Sequence, residues 1–194
     1  MLAIVVAIVV AVGATWAVSR SPSPGPSSVA VGFAQDMSVH HAQAVEMAGL
    51  VLQRTEDDAV QTLARDIMLT QQGQIGQMHG WLDLWDQPKT TVGPRMVWMT
   101  SDGMGMDGRM PGMAAPEDIA GLRSLQGQEA ERLFLQLMIE HHRAGVDMAG
   151  AAVASTTVPD VRRLARTMVT GQETEIEAMA GMLDERGGQL AENP

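Results

Sequence analysis

The chain has no cysteine among its 194 residues, which excludes disulfides, thiolate catalysis, thiolate metal sites and lipid attachment through cysteine. Aromatic residues reach only 3%, so any core must be aliphatic, built from Leu, Ile, Val, Ala and Met. Basic residues are scarce as well: 13 Lys and Arg stand against 23 Asp and Glu, a formal charge of −10. Phosphate backbones are bound by clustered Lys and Arg, so nucleic acid is set aside as a partner. β-Branched runs with period two are few after residue 30, whereas Ala, Leu, Met, Gln and Glu abound. That mix favours helix over strand. In excess is methionine, at 16 residues. The thioether fills gaps in cores. It is also a soft ligand suited to Cu(I), and unlike a thiol it forms no disulfide in an oxidising compartment.

Hydrophobic residues make up 45% of the chain, and its length allows one domain of about 100–150 residues with appendages. Residues 1–19 form the first appendage. Met1 to Val18 are almost wholly apolar and Arg20 follows, near the lower limit of the roughly 17–25 residues that span a bilayer. No basic residue precedes the run, as one would in a signal peptide, although Val12-Gly13-Ala14 offers a small-residue cleavage site. The segment reads as a transmembrane anchor, with a cleaved signal as the other option. Either places the rest of the chain on the extracytoplasmic side, in the cell envelope. Residues 20–32 follow as a linker, with SPSPGPSS from Ser21 to Ser28, a composition that makes an extended spacer.

Residues 33–82 align with 134–183 at a constant offset of 101, without a gap, and 19 of these 50 positions carry the same residue. The shared pairs include Phe33/Phe134, Met37/Met138, His40/His141, His41/His142, Met47/Met148 and Gln71/Gln172. A gapless match of this length implies a duplicated structural unit. At about 100° per residue, Phe33, Met37, His40, His41, Ala44, Met47, Ala48 and Val51 share one helix face. A second stripe runs through Val60, Leu63, Ala64, Ile67, Gln71, Gln74, Ile75, Met78 and Leu82. Between the two helices, Thr55 to Asp58 supplies N-cap candidates. In the second copy Pro159 is able to open a helix, and Gly187-Gly188 ends it. Two hairpins that cannot bury their faces alone predict an all-α four-helix bundle over 33–186, with 187–194 as a tail. The first hairpin is 33–85 and the second 118–186.

The connection between them, 86–117, holds five Gly, four Pro and Met96, Met99, Met104, Met106, Met110 and Met113. A long segment of this kind is usually functional or disordered. It is expected either to capture Cu(I) on spaced thioethers or to lie over the bundle as an apolar lid with Trp98. A short helix from Glu117 to Leu125 is expected to follow Pro116.

Met37-x-x-His40-His41 with Met47, repeated as Met138-x-x-His141-His142 with Met148, holds four of the five histidines. Adjacent histidines on a helix lie about 100° apart, so one turns inward while its neighbour is expected near the bundle edge. The i, i+3 and i+4 relations set Met37 beside both rings. Imidazole suits Cu, Zn, Fe and Ni, and methionine narrows the choice toward copper, as Cu(I) or Cu(II). Further candidate ligands are Met104, Met106, Met110, Met113, His79 and Glu175. Gln71, Gln74, Gln172 and Glu175 fall on the core stripe, where unpaired polar groups are costly. They are candidates to orient imidazoles, to pair with Arg65 or Arg166, or to bond one another. No nucleophile elbow, phosphate loop or HExxH helix is present. Neither histidine pair has Glu three residues before it, which disfavours a di-iron site.

The pattern FxxxMxxHHxxxxxMA, at Phe33 to Ala48 and again at Phe134 to Ala149, resembles the bacterial domain-of-unknown-function family 305. Met110-Pro-Gly-Met113 and Gln172-x-x-Glu175-Ile176-x-x-Met179 resemble it too. The resemblance covers residues 30–186. It implies a ferritin-like four-helix bundle, an envelope or exported location, and copper binding for some members, carried here by the two Met-His-His-Met sets. The sequence departs from the family's pattern at Gln74, where the second copy keeps Glu175, and at Gly76. The expected function is an exported metal-binding protein that buffers or passes copper, with a redox enzyme using bound copper as a weaker alternative. The competing expectation is an envelope scaffold whose histidines are structural.

Overall fold

The computed structural model describes residues 23–99 and 109–190. The expected anchor at 1–19, Met104 and Met106 of the crossover, and the end of the tail lie outside the described residues. Five helices and no strand occur among the described residues: α1 (Val29–Val51), α2 (Asp58–Leu84), α3 (Pro116–Ser124), α4 (Gly127–Ser155) and α5 (Pro159–Glu185). None of these helices is long and apolar enough to cross a membrane.

Local chemistry sets their ends. Ser28 caps α1 by accepting from the Val31 N–H, so the first turn takes residues expected in the linker. Asp57 caps α2 by accepting from the N–H groups of Ala59 and Val60. Pro159 opens α5. Beyond its end, Gly187 and Gly188 turn the chain at φ 91° and 76°, a region open to glycine.

Helices α1 and α2 form one hairpin, α4 and α5 the other, and the two meet chiefly where α1 packs on α4. Two core clusters each draw on all four long helices. The first holds Phe33 and Met37 of α1, Met78 of α2, Met148 of α4 and Val161 of α5. The second holds Met47 of α1, Ile67 of α2, Phe134 and Met138 of α4, and Met179 of α5. The start of α1 therefore shares a cluster with the end of α4, and the reverse holds in the other cluster. The two central helices run antiparallel, and the repeats are related by a pseudo-twofold axis through the middle of the bundle. Four histidines sit at that middle, between the clusters. At one end of the bundle Arg186 ties α5 to Asp57 (2.6 Å) and Glu131 (2.7 Å), and the Thr55 hydroxyl donates to Glu131 (2.6 Å).

In its described part the crossover is packed. Asp36, 1% exposed, stands where the second copy has Leu137. Its carboxylate accepts from the Met96 N–H (2.7 Å), the Trp98 indole N–H (3.0 Å), the Thr91 hydroxyl (3.1 Å) and Arg95 (3.3 Å). Met96, Trp98 and Met110 thereby join the first core cluster, with Met99 and Met113 at its edge. Met110 is thus a core residue and not part of an open strand. Asp36→Ala would leave two buried N–H donors without their acceptor, so a loss of about 3–5 kcal/mol is expected. Thermal melting measures that loss. A red shift of tryptophan emission should accompany it, and an unchanged melting point would show that Asp36 does not hold the crossover.

Candidate metal centre

His40, His41 and His142 are fully buried and His141 is 1% exposed. The expectation that one ring of each pair would reach the bundle edge is corrected by the packing. Each central helix packs on two of the other long helices, and two rings about 100° apart serve one neighbour each. On α1, His40 faces α4, where its ring stacks on His141 at 3.7 Å between centroids and 29° between planes. His41 faces α2, where its Nε2 donates to Gln74 Oε1 at 2.6 Å. The second copy repeats this, with His141 toward α1 and His142 Nε2 donating to Glu175 Oε2 at 2.7 Å. His141 Nε2 donates to the His40 carbonyl at 3.0 Å. His40 Nε2 donates to the carbonyl of Pro111 at 3.2 Å.

This layer is polar, buried and incompletely bonded within the protein. Nδ1 of His40, His41 and His142, both amide atoms of Gln71, and Oε1 of Gln172 have no hydrogen-bond partner within the protein. Each such buried atom costs roughly 1–3 kcal/mol. Burial pushes His40 down to about 3 and His41 to about 4, and neighbouring imidazoles add to the effect. Burial likewise holds His141 well below the usual histidine range. These three rings are neutral at physiological pH, the form in which imidazole ligates metals.

The thioethers flank the layer on both sides. Met37 and Met148 lie in the first core cluster, and Met47 and Met138 in the second; none is more than 1% exposed. Among the described residues no group of three or more His, Asp or Glu side chains gathers to hold a metal ion. A structural zinc site or a di-iron carboxylate site needs such a group. A soft ion that accepts sulfur does not. Of the further candidates, Glu175 holds His142. His79 stands half-buried on α2, about 140° around the helix from Gln74, and does not join the layer. Met110 and Met113 pack with the first cluster, away from an open strand. Arg65 bonds Gln61 and leaves the glutamines to the layer.

Sequence reasoning missed the residues that close the layer. Gln43 donates to the Ala114 carbonyl (3.0 Å) and accepts from the Ala114 N–H (2.7 Å), fixing the loop that brings Pro111 to His40. Gly112 in that loop has φ 70°. A Cβ there would meet Ala144 Cβ at 2.6 Å and the Glu140 carbonyl at 2.7 Å. Gly145 is as tight, because a Cβ on it would strike the amide of Gln172. The available signals were the Met-Pro-Gly-Met element itself and Gln43 standing opposite Ala144 in the repeat. Gly112→Ala meets both strain and backbone contact, so a loss of about 1–3 kcal/mol is expected. A melting curve equal to that of the unaltered protein would refute the close seat of the loop.

The family model described as a domain of unknown function, DUF305, matches residues 30–183. The chain belongs to the DUF305 family. Its fold is similar to that of a DUF305 protein from Streptomyces coelicolor presumed to be secreted, at 50% identity and TM-score 0.79, covering 87% of this chain and 99% of that one. A DUF305 fragment from Deinococcus radiodurans is 37% identical with TM-score 0.69, covering 85% of this chain and 99% of that one. CopM in its Cu(II)-bound form is 28% identical with TM-score 0.63, covering 79% of this chain and 94% of that one. None of the curated proteins matches the chain.

Proposed function

We propose that this DUF305 protein is an exported copper-binding protein of the cell envelope, built on a ferritin-like four-helix bundle and tethered by its apolar N-terminal segment. The observation that carries the reading is the buried layer of four histidines in which Nδ1 of His40, His41 and His142 has no partner in the protein. Neutral imidazoles flanked by buried methionines match the preferences of copper, above all Cu(I). The likeness to CopM, a relative known in Cu(II)- and Cu(I)-bound forms at 28% and 26% identity, supports the same choice of metal. Residues 1–18, almost wholly apolar, and the likeness to a protein presumed to be secreted support export. No reaction is assigned.

One observation favours the scaffold reading: every Nε2 in the layer already has a partner within the chain. The two readings separate by measurement. A ligand that binds only the folded state raises its melting temperature, so copper should stabilise the protein. Competition with a chromophoric chelator should give a Cu(I) dissociation constant tighter than roughly micromolar. No stabilisation and no binding at that level would leave only the scaffold.

A further inference from the structure

We propose that the repeat builds two unequal copper half-sites, around His41 and His142, in which Nδ1 is the ligating atom and Gln74 or Glu175 behind each ring sets the affinity. This rests on the copper reading above and adds the number of sites, the ligand atom and their rank.

The ligand atom follows from the acceptors. A carboxylate oxygen, a backbone carbonyl and an amide oxygen only accept. Bonded to Glu175 Oε2 and Gln74 Oε1, His142 and His41 carry their proton on Nε2. Imidazole ligates a metal in its neutral form, which has one N–H, so the lone pair offered to an ion is on Nδ1. In both rings that atom is buried without a partner.

The number follows from the topology. One turn along α2 from Gln74 stands Gln71, toward Ile67 and the second core cluster. One turn along α5 from Glu175 stands Gln172, toward Met168 and the first cluster. Each glutamine is buried and carries an amide oxygen without a partner. Along the helices themselves Met37 stands one turn from His41 and Met138 one turn from His142, and Gln71 and Gln172 extend the two halves toward opposite core clusters. Each half carries one buried imidazole nitrogen and one buried amide oxygen without partners, with a buried thioether one helical turn away. No single point gathers three His, Asp or Glu side chains among the described residues, in keeping with two mixed nitrogen–sulfur sites.

The rank follows from the one charged difference between the rings' supports. Glu175 gives His142 a charge-assisted bond whose carboxylate also offsets the charge of the ion, whereas Gln74 is neutral. The Glu175 half is the tighter.

The test titrates the full chain with Cu(I) against a chelator, beside Glu175→Gln and Gln74→Glu, and records 15N NMR of the imidazoles with and without Cu(I). Two ions should bind in two steps. Glu175→Gln should weaken the tighter step by about 10-fold or more, and Gln74→Glu should strengthen the weaker one. Without metal both rings should show protonated Nε2, and Cu(I) should shift Nδ1. Copper taken up in a single step, steps unmoved by Glu175→Gln, or protonated Nδ1 in the metal-free protein would overturn the half-sites and leave the copper reading intact. A chain that takes up no copper overturns both.

Discussion

Replacing His41 and His142 together with alanine should lower copper affinity by at least about 100-fold while leaving a cooperative helical melt. Loss of a ring's supporting partner alone typically costs 10–100-fold in metal affinity, and here the ligating nitrogens themselves are removed. The fold should survive because each substitution removes a single hydrogen bond, from Nε2, together with a buried nitrogen that has no partner in the protein. The Glu175 carboxylate left behind keeps access to water, at 26% side-chain exposure. Chelator competition measures the affinity, and circular dichroism checks the fold. His79→Ala is the control, since His79 lies off the layer, and it should bind as the unaltered protein does. Equal affinity in the double variant would move the copper site elsewhere.

The metal-free protein should be strongly acid-labile. His40 and His41, held by burial to about 3 and about 4, and His141, held well below its ordinary value, stay neutral in the fold. In the unfolded chain they protonate near 6.5. The unfolded state therefore binds more protons below that value, and stability falls with falling pH. Stability is full above about 6.5 and is lost progressively down to about 3–4, at about 1.4 kcal/mol per pH unit for each ring. Three rings together give about 4 kcal/mol per unit, or a drop of about 10 °C in Tm between pH 6 and pH 5 for a chain of this size. Bound copper competes with protons for His41, the one ring of these three that the half-sites use, and should reduce the slope. Melting curves of the metal-free protein across pH 7 to 4.5 check this, and a flat profile would show that the rings do not stay neutral in the fold.

The bundle was legible because hydrophobic periodicity and a gapless repeat both survive in the chain. Phe33 and Phe134, or Met78 and Met179, mark equivalent core positions without reference to any contact. The crossover was less legible. Asp36 reads as an ordinary surface acid until Met96, Thr91, Arg95 and Trp98 are seen around it. Its one trace in the sequence is the mismatch with Leu137. Pro111 is still harder to read, because it contributes a backbone carbonyl to His40, and a carbonyl has no residue signature.

The sequence alone determined that this protein is helical, doubled, free of thiols, and supplied with two sets of adjacent histidines between methionines. Those properties live in residue type and spacing along one segment. Only the tertiary structure decided that all four rings are buried, that His41 and His142 lean on Gln74 and Glu175, and that the methionines divide into two opposed sets. Each of these depends on the antiparallel docking of α1 on α4 and on which of two neighbours a ring faces. That geometry is set by packing between segments about a hundred residues apart, and no local pattern encodes it.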